Sequence, residues 1–101
     1  MLERDIEAYL VEQVKKLGGR AFKFVSPGNS GVPDRLVCLP GGVIAFVEMK
    51  APGGKSTALQ TRQQSVLRGL GNWVEVLDSK DDVNVFISVC KIKLRGRGFD
   101  I

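Results

Sequence analysis

The stretch Val43 to Lys50, VIAFVEMK, constrains the fold of this chain more than any other. Successive side chains on a strand point to opposite faces, so Val43, Ala45, Val47 and Met49 share one face and Ile44, Phe46, Glu48 and Lys50 the other. Apolar residues on both faces mark a central strand covered on two sides. An acid and an amine placed there need a partner or an ion, because an unpaired buried charge is costly.

The rest of the chain can be laid out around that strand. Leu2, Ile6, Leu10, Val14 and Leu17 recur at helical spacing until Gly18-Gly19 stops the helix, and Ala21 to Val25 alternates like a strand. Ser26 to Gly31 is a loop by composition. VPDRLVCL precedes the central strand and is joined to it by Pro40-Gly41-Gly42, which makes a hairpin. After the loop Ala51 to Ser56, a helix is expected from about Thr57 to Leu70, with Leu59, Val66, Leu67 and Leu70 turned inward. Trp73 to Asp78 is another strand. The segment from Ser79 to Leu94 fits either period, and Ser79 with Asp82 resembles a capping box, which favours a helix. The order is α-β-β-β-α-β-α on one sheet, an α/β domain spanning 1–101 with a basic tail over about 91–101.

Composition narrows the chemistry. The chain has no histidine, which removes Ser-His and Cys-His nucleophiles, histidine bases and most zinc sites. Catalysis would rest on carboxylates, lysine, amides and a hard metal ion. Cys38 and Cys90 match no metal-binding spacing and read as reduced core thiols. No apolar run approaches the roughly 18 to 20 residues that span a bilayer, and the charged start is no signal peptide, so an intracellular protein without membrane partners is expected. Fifteen Lys and Arg against eleven Asp and Glu favour a polyanionic partner.

The hairpin gives the buried acid a companion. If Leu39 pairs with Val43, the register sets Asp34 opposite Glu48, with Cβ atoms about 4.5 to 5.5 Å apart on one face. A bulge would shift this by one residue. Two carboxylates that close repel, and a divalent cation such as Mg²⁺, which takes one or two carboxylates and keeps several waters, relieves the repulsion. GGKST, Gly53 to Thr57, sits where a phosphate-binding loop would, but that motif needs glycine at the position of Met49, so no nucleotide cofactor is expected.

These residues resemble the PD-(D/E)XK nucleases, and within them the VRR-NUC (virus-type replication-repair nuclease) domain. GVPDRLV, Gly31 to Val37, looks like the G-x-P-D segment; VEMKAPGGK, Val47 to Lys55, looks like the hydrophobic-E-x-K-x-P-x-G segment; LQTRQQSVLRGLG, Leu59 to Gly71, is similar to the glutamine-bearing helix that follows. The resemblance covers the chain to about Ile92. It implies a restriction-endonuclease-like core, with a mixed central sheet flanked by helices. It also implies that Asp34, Glu48 and the Met49 backbone carbonyl ligate Mg²⁺ or Mn²⁺, that Lys50 orients or helps deprotonate the attacking water and offsets developing phosphate charge, that Glu7 holds a metal-bound water or second ion, with Glu3 one turn away as its competitor, and that Gln60 supports metal or phosphate. The function implied is a metal-dependent endonuclease on branched DNA such as a Holliday junction, working as a homodimer. A phage origin fits the family. The competing reading is a DNA-binding module without catalysis, its acids structural. Arg35, Lys55 and the alternating Lys91, Lys93, Arg95 and Arg97, which would line one side of an extended tail, are the candidate DNA contacts.

Overall fold

The computed structural model describes residues 1–101. Helix α1, Glu3–Lys16, buries Ile6, Leu10 and Val14 as one stripe, with Glu3 and Asp5 in its first turn and Lys15 and Lys16 in its last, the polarity that the helix dipole favours. Strand β1, Arg20–Lys23, leads through a long loop to β2, Arg35–Leu39, and a single 3-10 turn over Pro40–Gly42 returns the chain as β3, Val43–Met49. Gly41 and Gly42 both take positive φ, which lets so short a connection close. Helix α2, Ala58–Gly69, crosses to β4, Val74–Leu77, and α3, Lys80–Gly96, completes the domain.

The four strands lie in the order β1-β2-β3-β4. The first two pairings are antiparallel and β3 with β4 is parallel, so the sheet is mixed. In the hairpin Leu39 pairs with Val43 and Arg35 with Val47, without a bulge. The expected register therefore holds, and Asp34 stands one residue beyond the ladder, level with Glu48.

One face of the sheet, built from Val37, Leu39, Val43, Ala45, Val47, Met49 and Leu77, packs against α1 and α3 to form the core. The ambiguous segment after Ser79 is helical. Ser79 Oγ accepts the Asp82 amide at 3.0 Å, and Val83, Phe86, Ile87, Cys90 and Leu94 are buried at helical spacing.

Several expectations are corrected. Helix α3 runs to Gly96, so no extended tail begins at residue 91. On a helix every second residue turns by about 200°, which sends Lys93 to the side opposite Lys91 and Arg95 rather than lining them up. The inward face of α2 is Gln60, Gln63, Gln64 and Leu67, whereas Leu59, Val66 and Leu70 are exposed. Leu67 is inward as expected, but Leu59, Val66 and Leu70 face outward because Gln60, Gln63 and Gln64 find partners on the inner side. Cys38 is only half-buried and sits outside the core that holds Cys90. The outer face of β3 is not fully covered: α2 lies over its Glu48 end, while Ile44 is exposed.

Candidate active site

The site forms where β3 ends. Glu48 is 1% exposed, although it is charged by type, and its Oε1 has no hydrogen-bond partner. Its Oε2 accepts from Gln60 Nε2 at 3.2 Å and lies 3.7 Å from Lys50 Nζ. Burial, followed by the charge of Asp34, pushes the Glu48 carboxyl up to about 8, while Lys50 pulls in the other direction. Asp34 is near enough to share a hydrogen bond with Glu48 when a proton is present. The Asp34 Oδ2 accepts the Met49 amide at 2.7 Å, which fixes the carboxyl across the end of the hairpin.

Lys50 donates to Gln60 Oε1 at 2.6 Å, and the same oxygen accepts the Thr57 amide at 2.9 Å. Thr57 caps α2, its Oγ1 accepting from the Gln60 amide at 3.2 Å. Gln60 is thus the third residue of a capping box whose side chain also reaches both catalytic candidates on β3. The helix start and the strand end are locked together by one amide. The signal was readable, since T-x-x-Q before a helical segment is the capping-box pattern, but Thr57 was not singled out from the sequence.

Glu7 does not join this group. Its Oε2 accepts from Arg35 Nε at 2.8 Å, and Arg35 Nη1 donates to the Ala21 carbonyl at 3.0 Å. With its side chain 12% exposed, Arg35 is a structural cation holding α1 to β1 and β2, not a free DNA contact. Glu7 and Glu3 nonetheless line, with Lys23, Phe24, Val25 and Asp34, a cleft of about 290 Å³ beside the carboxylate pair. Lys23, on the rim, was not identified from the sequence, where it is an unremarked lysine in a short strand.

The remaining candidates are scattered. Lys55 is exposed in a loop that Asp78 tethers, its Oδ2 accepting the Gly53 amide at 3.2 Å. Lys91, Lys93, Arg95 and Arg97 all lie towards the C-terminal end of α3, where Lys93 sits 4.6 Å over the Trp73 ring and Arg97 donates to the Gly41 carbonyl. The Gly41 turn opens β3, and Glu48 closes it, so this group is remote from the carboxylates.

No three His, Cys, Asp or Glu side chains stand together as a ready-made metal cage. Two carboxylates, one with an orphaned buried oxygen, and a neighbouring backbone carbonyl are instead a donor set for a hard cation that keeps much of its water. The residues fit such an ion.

A mixed four-stranded sheet carrying Asp34 opposite an E-x-K strand, with a glutamine-bearing helix over it, defines a PD-(D/E)XK-type domain. The chain belongs to the VRR-NUC family. It is 38% identical to a solved structure described as "VRR_NUC domain", covering 85% of this chain and 94% of that one with a TM-score of 0.81. A second solved structure, "VRR_NUC domain protein", has the same fold at a TM-score of 0.63 and 20% identity, over 90% of this chain and 86% of that one. The chain is also 60% identical over 79 residues to a protein named "Putative nuclease p44" from Acyrthosiphon pisum secondary endosymbiont phage 1, a match spanning 78% of this chain and 85% of that protein. No family model matches the sequence.

Proposed function

We propose that the protein is a divalent-metal-dependent endonuclease that hydrolyses DNA phosphodiester bonds, with branched DNA such as a four-way junction as its substrate. The observation that carries this is the buried Glu48 carboxylate, one oxygen unpartnered, beside Asp34 and an amine held at 3.7 Å. A buried Glu48 carboxyl with an unpartnered oxygen, beside Asp34 at the edge of a cleft, is costly to the fold, and a bound cation would offset that cost. The similarity to a phage protein named a nuclease points the same way.

Asp34, Glu48 and the Met49 carbonyl would hold Mg²⁺ or Mn²⁺, which when bound supplies Lewis acidity and an activated water at neutral pH. Gln60 aims the Lys50 ammonium across the site, where its charge offsets the negative charge that develops on phosphate. Glu7, held by Arg35, keeps a negative wall on the cleft near Asp34. Branched DNA and a homodimer are drawn from the family resemblance, and a two-fold pair would offer two sites to two strands.

Cleavage of a labelled four-way junction beside a linear duplex, with Mg²⁺, Mn²⁺ or a chelator, tests the reading. Cutting that the chelator stops, and that favours the junction, is the expected result. Tight binding of the junction with no cutting under any metal would make the protein a DNA-binding module instead.

A further inference from the structure

The cleft beside the carboxylate pair has the wrong lining for a phosphate. Three acids, Glu3, Glu7 and Asp34, stand on its walls against one lysine, Lys23, at the rim. A phosphodiester drawn inside would meet a net negative field. Nor is the cleft shaped for an ion, since no three of the acids are grouped to hold one and Glu7 Oε2 is already taken by Arg35 at 2.8 Å. The other two walls, Phe24 and Val25, are apolar, and Val25 is 78% exposed.

Phe24 is fixed at this spot. Its amide donates to the Asp34 carbonyl at 2.7 Å, which continues the ladder of β1 with β2 by one pair, and its ring meets that of Phe46 edge-on with centroids 5.5 Å apart. The aromatic residue and the carboxylate are therefore cross-strand neighbours, so a group resting on Phe24 lies beside Asp34. A neutral aromatic ring with amino hydrogens on its edge suits both kinds of wall, because its faces take the apolar contacts and its edge donates to carboxylates. A cleft of about 290 Å³ admits one nucleobase and excludes a duplex.

We infer that this cleft takes a single unpaired nucleobase bearing an exocyclic amine, next to the scissile phosphate. The base lies against Phe24 and Val25, its amine donates to Glu3, and the phosphate of the same nucleotide rests on Lys23 at the rim. Both charged residues are free for this: each is exposed and neither makes an ion pair, because Arg35 takes Glu7. Arg4, Lys55 and Lys80 stand exposed around the same end of the sheet and draw the DNA backbone to the rim. Taking a base out of its stack costs least where pairing is already lost, so the cleft selects branch points over continuous duplex. The inference rests on the nuclease reading for the cut and adds to it what is read beside the cut.

A labelled four-way junction with one unpaired nucleotide at its branch point tests this, made with adenine, cytosine, guanine, thymine or no base at that place. Thymine is the discriminating case, because carbonyl oxygens flank its single ring donor and would face the acids. With Mg²⁺ the wild type is expected to cut the amine-bearing versions about five- to tenfold faster than the thymine version, and the abasic version more slowly still. Glu3→Ala is expected to bring the thymine ratio close to one. Lys23→Ala should slow every version alike and lower the salt dependence of binding by about one phosphate contact. Each ratio is taken on one protein, so partial misfolding cannot produce it. Equal cutting of all versions by the wild type overturns the inference, as does a thymine ratio that Glu3→Ala leaves unchanged. If no version is cut, fluorescence anisotropy of the same junctions with Mg²⁺ separates the two ideas: the same order of bases in the dissociation constants removes the nuclease reading and keeps the base cleft, whereas equal constants defeat both.

Discussion

Glu48 and Lys50 show how two residues on one strand divide a task. The acid is fully buried and the amine is held to it through Gln60 rather than by direct contact alone. Replacing Lys50 by alanine removes the only side-chain cation hydrogen-bonded within the group, and cleavage is expected to fall by about 10²- to 10³-fold, the loss typical of one preorganised charge-stabilising donor. Steady-state cleavage against a melting curve separates this from misfolding. The pH dependence follows from the raised carboxyl. In the folded protein Glu48 keeps its proton up to about 8, whereas the unfolded chain loses it near 4.5. Between those values the folded state binds more protons, so this group's contribution to stability falls as pH rises through that window. Without metal the melting temperature of the wild type should therefore drop from pH 5 to pH 8 more steeply than that of Glu48→Gln. Equal slopes would mean that Glu48 is ionised across the range.

At the scale of elements, the meeting of α2 with the loop before β2 sets the geometry of the site. Gly31 has φ +88°, and a Cβ there would come within 2.9 Å of Leu59 Cγ and 3.0 Å of its backbone carbon. The glycine of the GVPD segment is needed because helix α2 approaches the loop this closely. Gly31→Ala is expected to cost about 1 to 3 kcal/mol in urea unfolding, the usual range for overpacking, and to displace Gln60 from Lys50. Thr57→Ala should remove the cap at about 1 kcal/mol and lower cleavage as well, because Gln60 is oriented by the same box. A loss of stability with activity intact would show that Gln60 is held by β3 alone. Local sequence made much of this layer readable. The hairpin register followed from the loop length, and α3 from its cap and apolar spacing. The inward face of α2 did not follow, because Gln60 and Gln64 face inward only where Lys50, Glu48 and Ser56 meet them, and those partners are distant in the chain or across a loop.

For the whole molecule, a metal that binds the folded site and not the unfolded chain must raise stability by mass action, about 2.7 kcal/mol at a hundred times its dissociation constant. Adding Mn²⁺ at pH 8 should accordingly raise the melting temperature of the wild type, and Asp34→Asn should abolish the rise. A rise that survives in the variant would place the ion elsewhere. Sequence by itself determined the α/β order, the central strand, the tight turn and the level of Asp34 with Glu48, because period and loop length are local and a two-residue alternation fixes which side chains share a face. Only the tertiary structure decided that Arg35 clasps Glu7 instead of meeting DNA, that the basic residues after Cys90 wind around a helix, and that one sheet face is left open. Those outcomes depend on which surfaces meet across tens of residues, and a linear pattern carries no record of the partner that a side chain finds at that distance.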